Sequence, residues 1–149
     1  MAQDCLFCRI VAGFEPAHVV MNDEVSMAFL DSRPLFFGHT LVVPRPHRGT
    51  LADLSPGEIG PFFVRAQRLA RVVEAEMKAE GTFVAMNNKV SQSVPHLHVH
   101  VVPRRPKDGL RGFFWPRTHY DDDAHAERTA TALSQAYRAD LLAETDPEE

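Results

Sequence analysis

Gln92-Ser93-Val94-Pro95-His96-Leu97-His98-Val99-His100-Val101-Val102-Pro103-Arg104 is the stretch whose reading decides the fold. From His96 to Val101 histidine and an aliphatic residue alternate. A period of two is the β-strand period, so the pattern predicts a strand over His96–Pro103 with three imidazoles on one face and Leu97, Val99 and Val101 on the other. Same-face neighbours on a strand lie roughly 6.5–7 Å apart, so a central imidazole is flanked by two others. Burying three side chains that titrate near neutrality is costly unless they hydrogen-bond or bind something. Three imidazoles in a row suit a metal platform, a nucleophile with helpers, or a mixture of the two.

Working outward, the pattern before this strand points to a sheet interrupted by one long helix. Val19 to Met21, a turn at Asn22-Asp23, and Val25 to Leu30 read as a hairpin. His39 to Pro44 reads as a third strand and Thr82 to Met86 as a fourth. Between them Asp53 to Glu80 reads as the main helix, with Ser55 as cap, Pro56 in first position and Glu58 completing a capping box. Ile59, Phe62, Phe63, Ala66, Leu69, Ala70, Val73 and Met77 form its expected buried stripe. Gly81 is the expected C-terminal cap, and Pro61 predicts a kink or a split first turn. Residues 5–12 suggest a short helix or turn ending at Gly13. Arg104 to Tyr120 reads as irregular, with a Phe113-Phe114-Trp115 cluster suited to an interface or pocket wall. Asp121-Asp122-Asp123 opens a last helix, and Glu144 to Glu149 reads as a loose tail. Strands, one long helix, then more strands predict an α+β fold with a mainly antiparallel sheet.

The 149 residues suit a single domain, residues 1–149. A net charge of −4 gives no basic footprint for nucleic acid. No apolar run reaches membrane-spanning length, and Met1 to Cys5 lacks the pattern of a signal peptide. These features predict a cytoplasmic protein with no nucleic-acid or membrane partner. Cys5 and Cys8 are the two cysteines. Their Cys-x-x-Cys spacing in such a protein leaves redox chemistry or metal binding open. They supply half of a tetrahedral zinc site at most.

The chemistry of a central nucleophile is specific. A neutral His98 can attack an electrophilic phosphorus through one nitrogen if its other nitrogen carries the proton and donates it to a fixed acceptor. Charge growing on phosphate oxygens then needs donors, for which Ser93, Gln92, imidazole N–H groups and backbone amides are candidates.

Several separated motifs, in order, carry a resemblance to a known family. They are Cys5-x-x-Cys8 with Phe7 and Ile10, Glu15-Pro16-Ala17, Asp31, Gly38-His39-x-Leu41-Val42-x-Pro44, His47, Gln92-Ser93-Val94, and the triad followed by Pro103-Arg104. Together they resemble the histidine triad (HIT) family of nucleotide hydrolases and transferases over about residues 4–104, which leaves 105–149 as a C-terminal extension. The resemblance implies a five-stranded antiparallel sheet with one long helix, and a homodimer. It implies attack on the α-phosphate of a purine nucleotide conjugate, such as a phosphoramidate, an acyl-nucleotide or a dinucleoside polyphosphate. His98 would be the nucleophile and His100 its assistant, with His96, Gln92 and Ser93 completing the catalytic set. Asp31 would accept hydrogen bonds from ribose hydroxyls. Phe7, Ile10 and Phe29 would enclose the base, and Asn87 and His39 would join the nucleotide-binding residues. It also implies a structural zinc on Cys5, Cys8, His47 and His96. The chain departs from the family in Asn88-Lys89-Val90-Ser91-Gln92, a shorter link without glycine. A metal-dependent enzyme using the triad as ligands, and a nucleotide- or partner-binding module without turnover, are the competing readings.

Overall fold

The computed structural model describes residues 4–111 and 118–145 of the chain. The Phe113-Phe114-Trp115 cluster and residues 146–149 of the expected tail lie outside them. The chain folds as two compact units, Met1–Gly109 and Leu110–Glu149. Among the described residues the second unit contains one helix, Asp123–Thr145. The acidic run opens it as expected: the Asp122 carboxylate accepts from the His125 N–H at 2.7 Å. The helix extends to Thr145, so 144 and 145 belong to it and not to a loose tail.

The first unit is built on a five-stranded sheet. Its strands are β1 (Val19–Asn22), β2 (Ser26–Leu30), β3 (Thr40–Pro44), β4 (Gly81–Ala85) and β5 (Val99–Arg104), in the order β1-β2-β3-β5-β4. Every neighbouring pair is antiparallel. A short helix, α1 (Leu6–Val11), precedes the sheet and the long α2 (Pro56–Glu76) follows β3. The result is an α+β fold with the expected five strands and long helix.

Alternation along the strands gives the sheet two apolar faces. Ala28, Val42, Val99 and Val101 pack with Phe62, Ala66, Leu69 and Val73 of α2, and Leu97 joins them. Met27, Phe29, Leu41 and Val43 pack on the opposite face with Cys5, Phe7 and Ile10 at the N-terminus. His98 and His100 belong to that second face, because they alternate with Val99 and Val101.

The structure corrects five local expectations. Strand β5 begins at Val99, and His96, Leu97 and His98 precede it without ladder pairing. The residues continue the alternation, but Pro95 removes a donor just before them and Leu97 donates instead to the Arg48 carbonyl at 2.6 Å. The helix begins at Pro56, after a separate 3₁₀ turn over Leu51–Asp53. The break falls at Leu54-Ser55, where Ser55 donates to the Glu58 carboxylate at 2.8 Å, and the helix runs on through Pro61 unsplit. Ile59 is 43% exposed and stands off the buried stripe. The helix ends before Gly81, at a turn in which Lys78 takes the left-handed conformation (φ 51°). There Ala79 donates to the Glu74 carbonyl at 2.9 Å and Lys78 to that of Ala75 at 3.2 Å, the bonding of a Schellman turn. Gly81 instead opens β4.

Gly38 controls the entry into β3. It has φ 94°, and a Cβ there would come within 2.6 Å of the Met77 side chain at the end of α2. Only glycine lets the chain pass so close and deliver His39 to the start of β3. No helix among the described residues is long and apolar enough to cross a membrane.

Candidate functional site

A cavity of about 800 Å³ opens on the sheet face away from α2. Phe7 and Ile10 of α1, Phe29 of β2 and Leu41 of β3 form its apolar wall, and Asp31, Ser93, His98 and His100 supply polar groups. Alternation explains the convergence: Leu41 pairs in register with His100, so both face the same side of the sheet. The Phe7 ring meets Phe29 edge-on at 5.4 Å and His98 at 5.1 Å.

Hydrogen bonds fix the tautomers. The His98 Nδ1–H donates to the His96 carbonyl at 2.8 Å, since a carbonyl only accepts. Neutral His98 therefore keeps its lone pair on Nε2, on the ring that lines the cavity. A second chain starts at the Leu35 N–H, which donates to His39 Nδ1 at 3.1 Å. The proton of neutral His39 thus sits on Nε2, which donates to His100 Nδ1 at 2.9 Å. That places the remaining proton of neutral His100 on Nε2. His98 and His100 stack edge-to-face with centroids 5.0 Å apart. Burial, then the neighbouring His98 and His39, pushes His100 down to about 4, so the tautomer chain stays neutral at physiological pH. Burial also lowers His39, against the pull of the Asp31 carboxylate 3.6 Å away. Asp31 is held by the Arg33 N–H, which donates to its Oδ1 at 2.8 Å.

The remaining sequence-selected residues lie around the cavity. Both ends of the Gln92 amide are engaged: its Nε2 donates to the Gly49 carbonyl at 2.7 Å and its Oε1 accepts from the Lys89 N–H at 2.8 Å. Asn87 Nδ2 donates to the Ser91 carbonyl at 3.1 Å, and Asn88 Oδ1 accepts from the Leu51 N–H at 2.8 Å. These amides brace the 87–93 loop, and Gln92, Asn87, His39 and His96 are not among the residues lining the cavity. In this glycine-free loop Lys89 (φ 70°) and Ser91 (φ 59°) take the left-handed conformation that glycine would adopt freely. His18, Arg33 and Leu41 line the cavity although the sequence reading gives none of them a role there. Leu41 was legible from its period-two relation to His39; no local signal marks Arg33 or His18.

Behind the triad lies a second constellation. Cys5, Cys8, His47 and His96 place their ligand atoms within 4.8 Å of one another. His96 Nδ1 is 3.5 Å from each sulfur, and His47 Nδ1 is 3.2 Å from Cys8 Sγ. A tetrahedral zinc with ordinary Zn–S and Zn–N bonds separates sulfur from nitrogen by about 3.6 Å, so the donors fit such an ion. The His96 Nε2–H donates to the Pro44 carbonyl at 2.9 Å, which turns the Nδ1 lone pair toward the sulfurs, as the outer partner of a ligating histidine does. Burial and Cys5 push the Cys8 thiol up to about 11. A divalent cation reverses that preference and makes both sulfurs thiolates. A further possible ligand group, Asp31, His39 and His100, lies at the cavity. There the proton between His39 and His100 already occupies both facing nitrogens.

The sequence matches the family model for the HIT domain over residues 13–107. It is 37% identical over 123 residues to protein hit of Bacillus subtilis, covering 81% of this chain and 84% of that protein. It is 33% identical over 121 residues to the adenosine 5'-monophosphoramidase HNT1 of Saccharomyces cerevisiae, covering 80% and 74%. A crystal structure of a Zn-bound histidine triad family protein from Mycobacterium smegmatis superposes with a TM-score of 0.69 at 35% identity, covering 93% of this chain and 99% of the other.

Proposed function

The chain belongs to the histidine triad (HIT) family, and on that premise we propose that it is a nucleotide hydrolase or nucleotidyl transferase working through His98. The observation that carries this reading is the bond from His98 Nδ1–H to the His96 carbonyl, which leaves Nε2 as a nucleophile on the cavity side. A purine sits against Phe7, Ile10 and Phe29, with Asp31 accepting from the ribose hydroxyls. Nε2 attacks the α-phosphorus, the bond to the leaving group breaks, and the nucleotidyl group rests on His98. The bond from Nδ1–H to the carbonyl strengthens as His98 gains positive charge, which favours the transition state over the ground state. His100, oriented by His39, presents its Nε2–H to a phosphoryl oxygen or to the leaving atom, which is nitrogen in a phosphoramidate and takes up a proton from solvent as the bond breaks, and Ser93 supplies a hydroxyl. Water or a second acceptor then takes the nucleotidyl group from His98. The monophosphoramidase among the relatives supports a phosphoramidate or a related purine nucleotide conjugate as substrate.

Cys5, Cys8, His47 and His96 hold a zinc in this reading, supported by their fit to the ion and by the Zn-bound relative. Bound there, zinc supplies a cross-link and no chemistry at the phosphate. The assembly follows the family resemblance, a cytoplasmic homodimer.

The test is the pair His98→Ala and wild type, assayed on adenosine phosphoramidate for released AMP and by calorimetry for AMP binding. The expected result is turnover in the wild type only, with AMP bound by both. Full turnover by His98→Ala removes His98 from the mechanism. AMP binding by both with no product from any purine conjugate supports the binding-module reading instead.

A further inference from the structure

We propose that Cys5 and Cys8 form a peroxide-oxidised thiol switch that acts on His98 through His96. The proposal rests on the reading of His98 as nucleophile and of the four donors as a zinc site. It starts from a residue with two tasks. The His96 ring points its Nδ1 at both sulfurs, and the His96 carbonyl holds the His98 tautomer at 2.8 Å.

His96 and His98 lie before β5, so no ladder bonds hold them in place. Their backbone is held by the Leu97 bond to Arg48 and by the His96 N–H bond to Val94 at 2.8 Å. The ring of His96 is fully buried. Without a ligand on Nδ1 it has an acceptor enclosed among sulfurs and no donor strong enough to satisfy it, a costly state that favours reorientation. The sequence between the cysteines adds a second path. Phe7 lies between them in the chain, and its ring stands 6.0 Å from that of His96 and 5.1 Å from that of His98. Drawing the two sulfurs together shifts the first turn of α1, and with it the cavity wall.

Access is graded as such a switch requires. Cys5 is buried and Cys8 is partly exposed. The Cys8 thiolate attacks hydrogen peroxide, the O–O bond breaks, hydroxide leaves, and Cys8 becomes a sulfenic acid. The Cys5 thiolate attacks that sulfur, the S–S bond forms and a second hydroxide leaves. Two thiolates lose two electrons, peroxide gains them, two protons complete two waters, and the zinc ion is released. Spacing permits the bond: Cys5 caps α1 and its sulfur accepts from the Cys8 N–H at 3.5 Å, the Cys-x-x-Cys placement at a helix start.

The test uses zinc-loaded full-length protein titrated with hydrogen peroxide, followed by a zinc-sensitive dye, by peptide mass mapping, and by ¹⁵N spectra of the imidazoles with His98 assigned from its loss in His98→Ala. The expected result is release of one zinc per chain together with a Cys5–Cys8 disulfide, and loss of the Nδ1–H signature of His98. Turnover is expected to fall about 10- to 100-fold, the range seen when the surroundings of a site are disturbed. Thiol reductant with added zinc reverses all of these. Cys8→Ser forms no disulfide. Failure of the reduced protein to retain zinc, oxidation to sulfinic acid without a disulfide, or a disulfide that leaves the His98 spectrum unchanged overturns the proposal. The spectra separate this failure from failure of the enzymatic reading: a protein without turnover whose His98 signal still follows the disulfide keeps the switch and loses the nucleophile.

Discussion

Replacing His100 with glutamine should flatten the acid side of the stability curve. Burial, followed by the charges that His98 and His39 would bring, pushes His100 down to about 4 in the folded protein. An unfolded histidine titrates near 6.5. The folded value lies below the unfolded one, so the stability linked to His100 is fully present above about pH 6.5 and is lost as pH falls toward 4. Between pH 7.5 and pH 5 the unfolded chain takes up nearly a full proton at this position and the folded chain about a tenth of one. Integrated over that window, the loss is about 2 kcal/mol. In His100→Gln this contribution disappears. Urea titrations of both proteins should show the wild type losing about 2 kcal/mol more than the variant from pH 7.5 to pH 5. With a slope near 2 kcal/mol/M that is about 1 M in midpoint. Protonation of His96 affects both proteins alike and largely cancels in the double difference. Parallel curves, within about 0.5 kcal/mol, would refute the neutral, partly buried network.

Leu97 is fully buried between the sheet and α2. Leu97→Ala should cost about 3 kcal/mol by denaturant unfolding, and a cost below about 1 kcal/mol would contradict the packing. Ser91→Gly should raise stability by about 0.5–1 kcal/mol, since the left-handed backbone there strains serine and suits glycine. A loss of stability in the same titration would show that the serine side chain holds the loop.

The sequence carried the architecture because its signals were periodic. Alternation in His96–Val101 set the imidazoles opposite the aliphatic residues, the apolar runs Val25–Leu30 and His39–Pro44 marked strands, and the 3.6-residue spacing from Phe62 to Val73 defined the helix face. Where those periods meet a boundary they say less. The alternation at His96 looked like strand, but alternation reports the direction of side chains and not the ladder, which begins only at Val99. Ile59 has the spacing of a buried residue but sits in the first turn of α2, beyond the edge of the packed surface. Gly81 has the residue type of a cap, yet Lys78 takes the left-handed turn. The two ends of the site differed in the same way. His98 and His100 could be placed by pattern, while the tautomer of His98 depends on the carbonyl of His96, and Arg33 reaches the cavity through a loop with no period at all. The roles of Gln92 and Asn87 were equally hard to foresee, because an amide can brace a loop as readily as it can meet a phosphate.

The central claim is that His98 carries the nucleotidyl group, and rapid-quench intact mass measurement with adenosine phosphoramidate tests it most directly. The account predicts an added adenylyl mass on the wild type within the first turnover, mapped to the peptide containing His98 and absent from His98→Ala. An adenylyl group mapped to another residue, or wild-type turnover with a slow substrate that never shows the adduct, would contradict it.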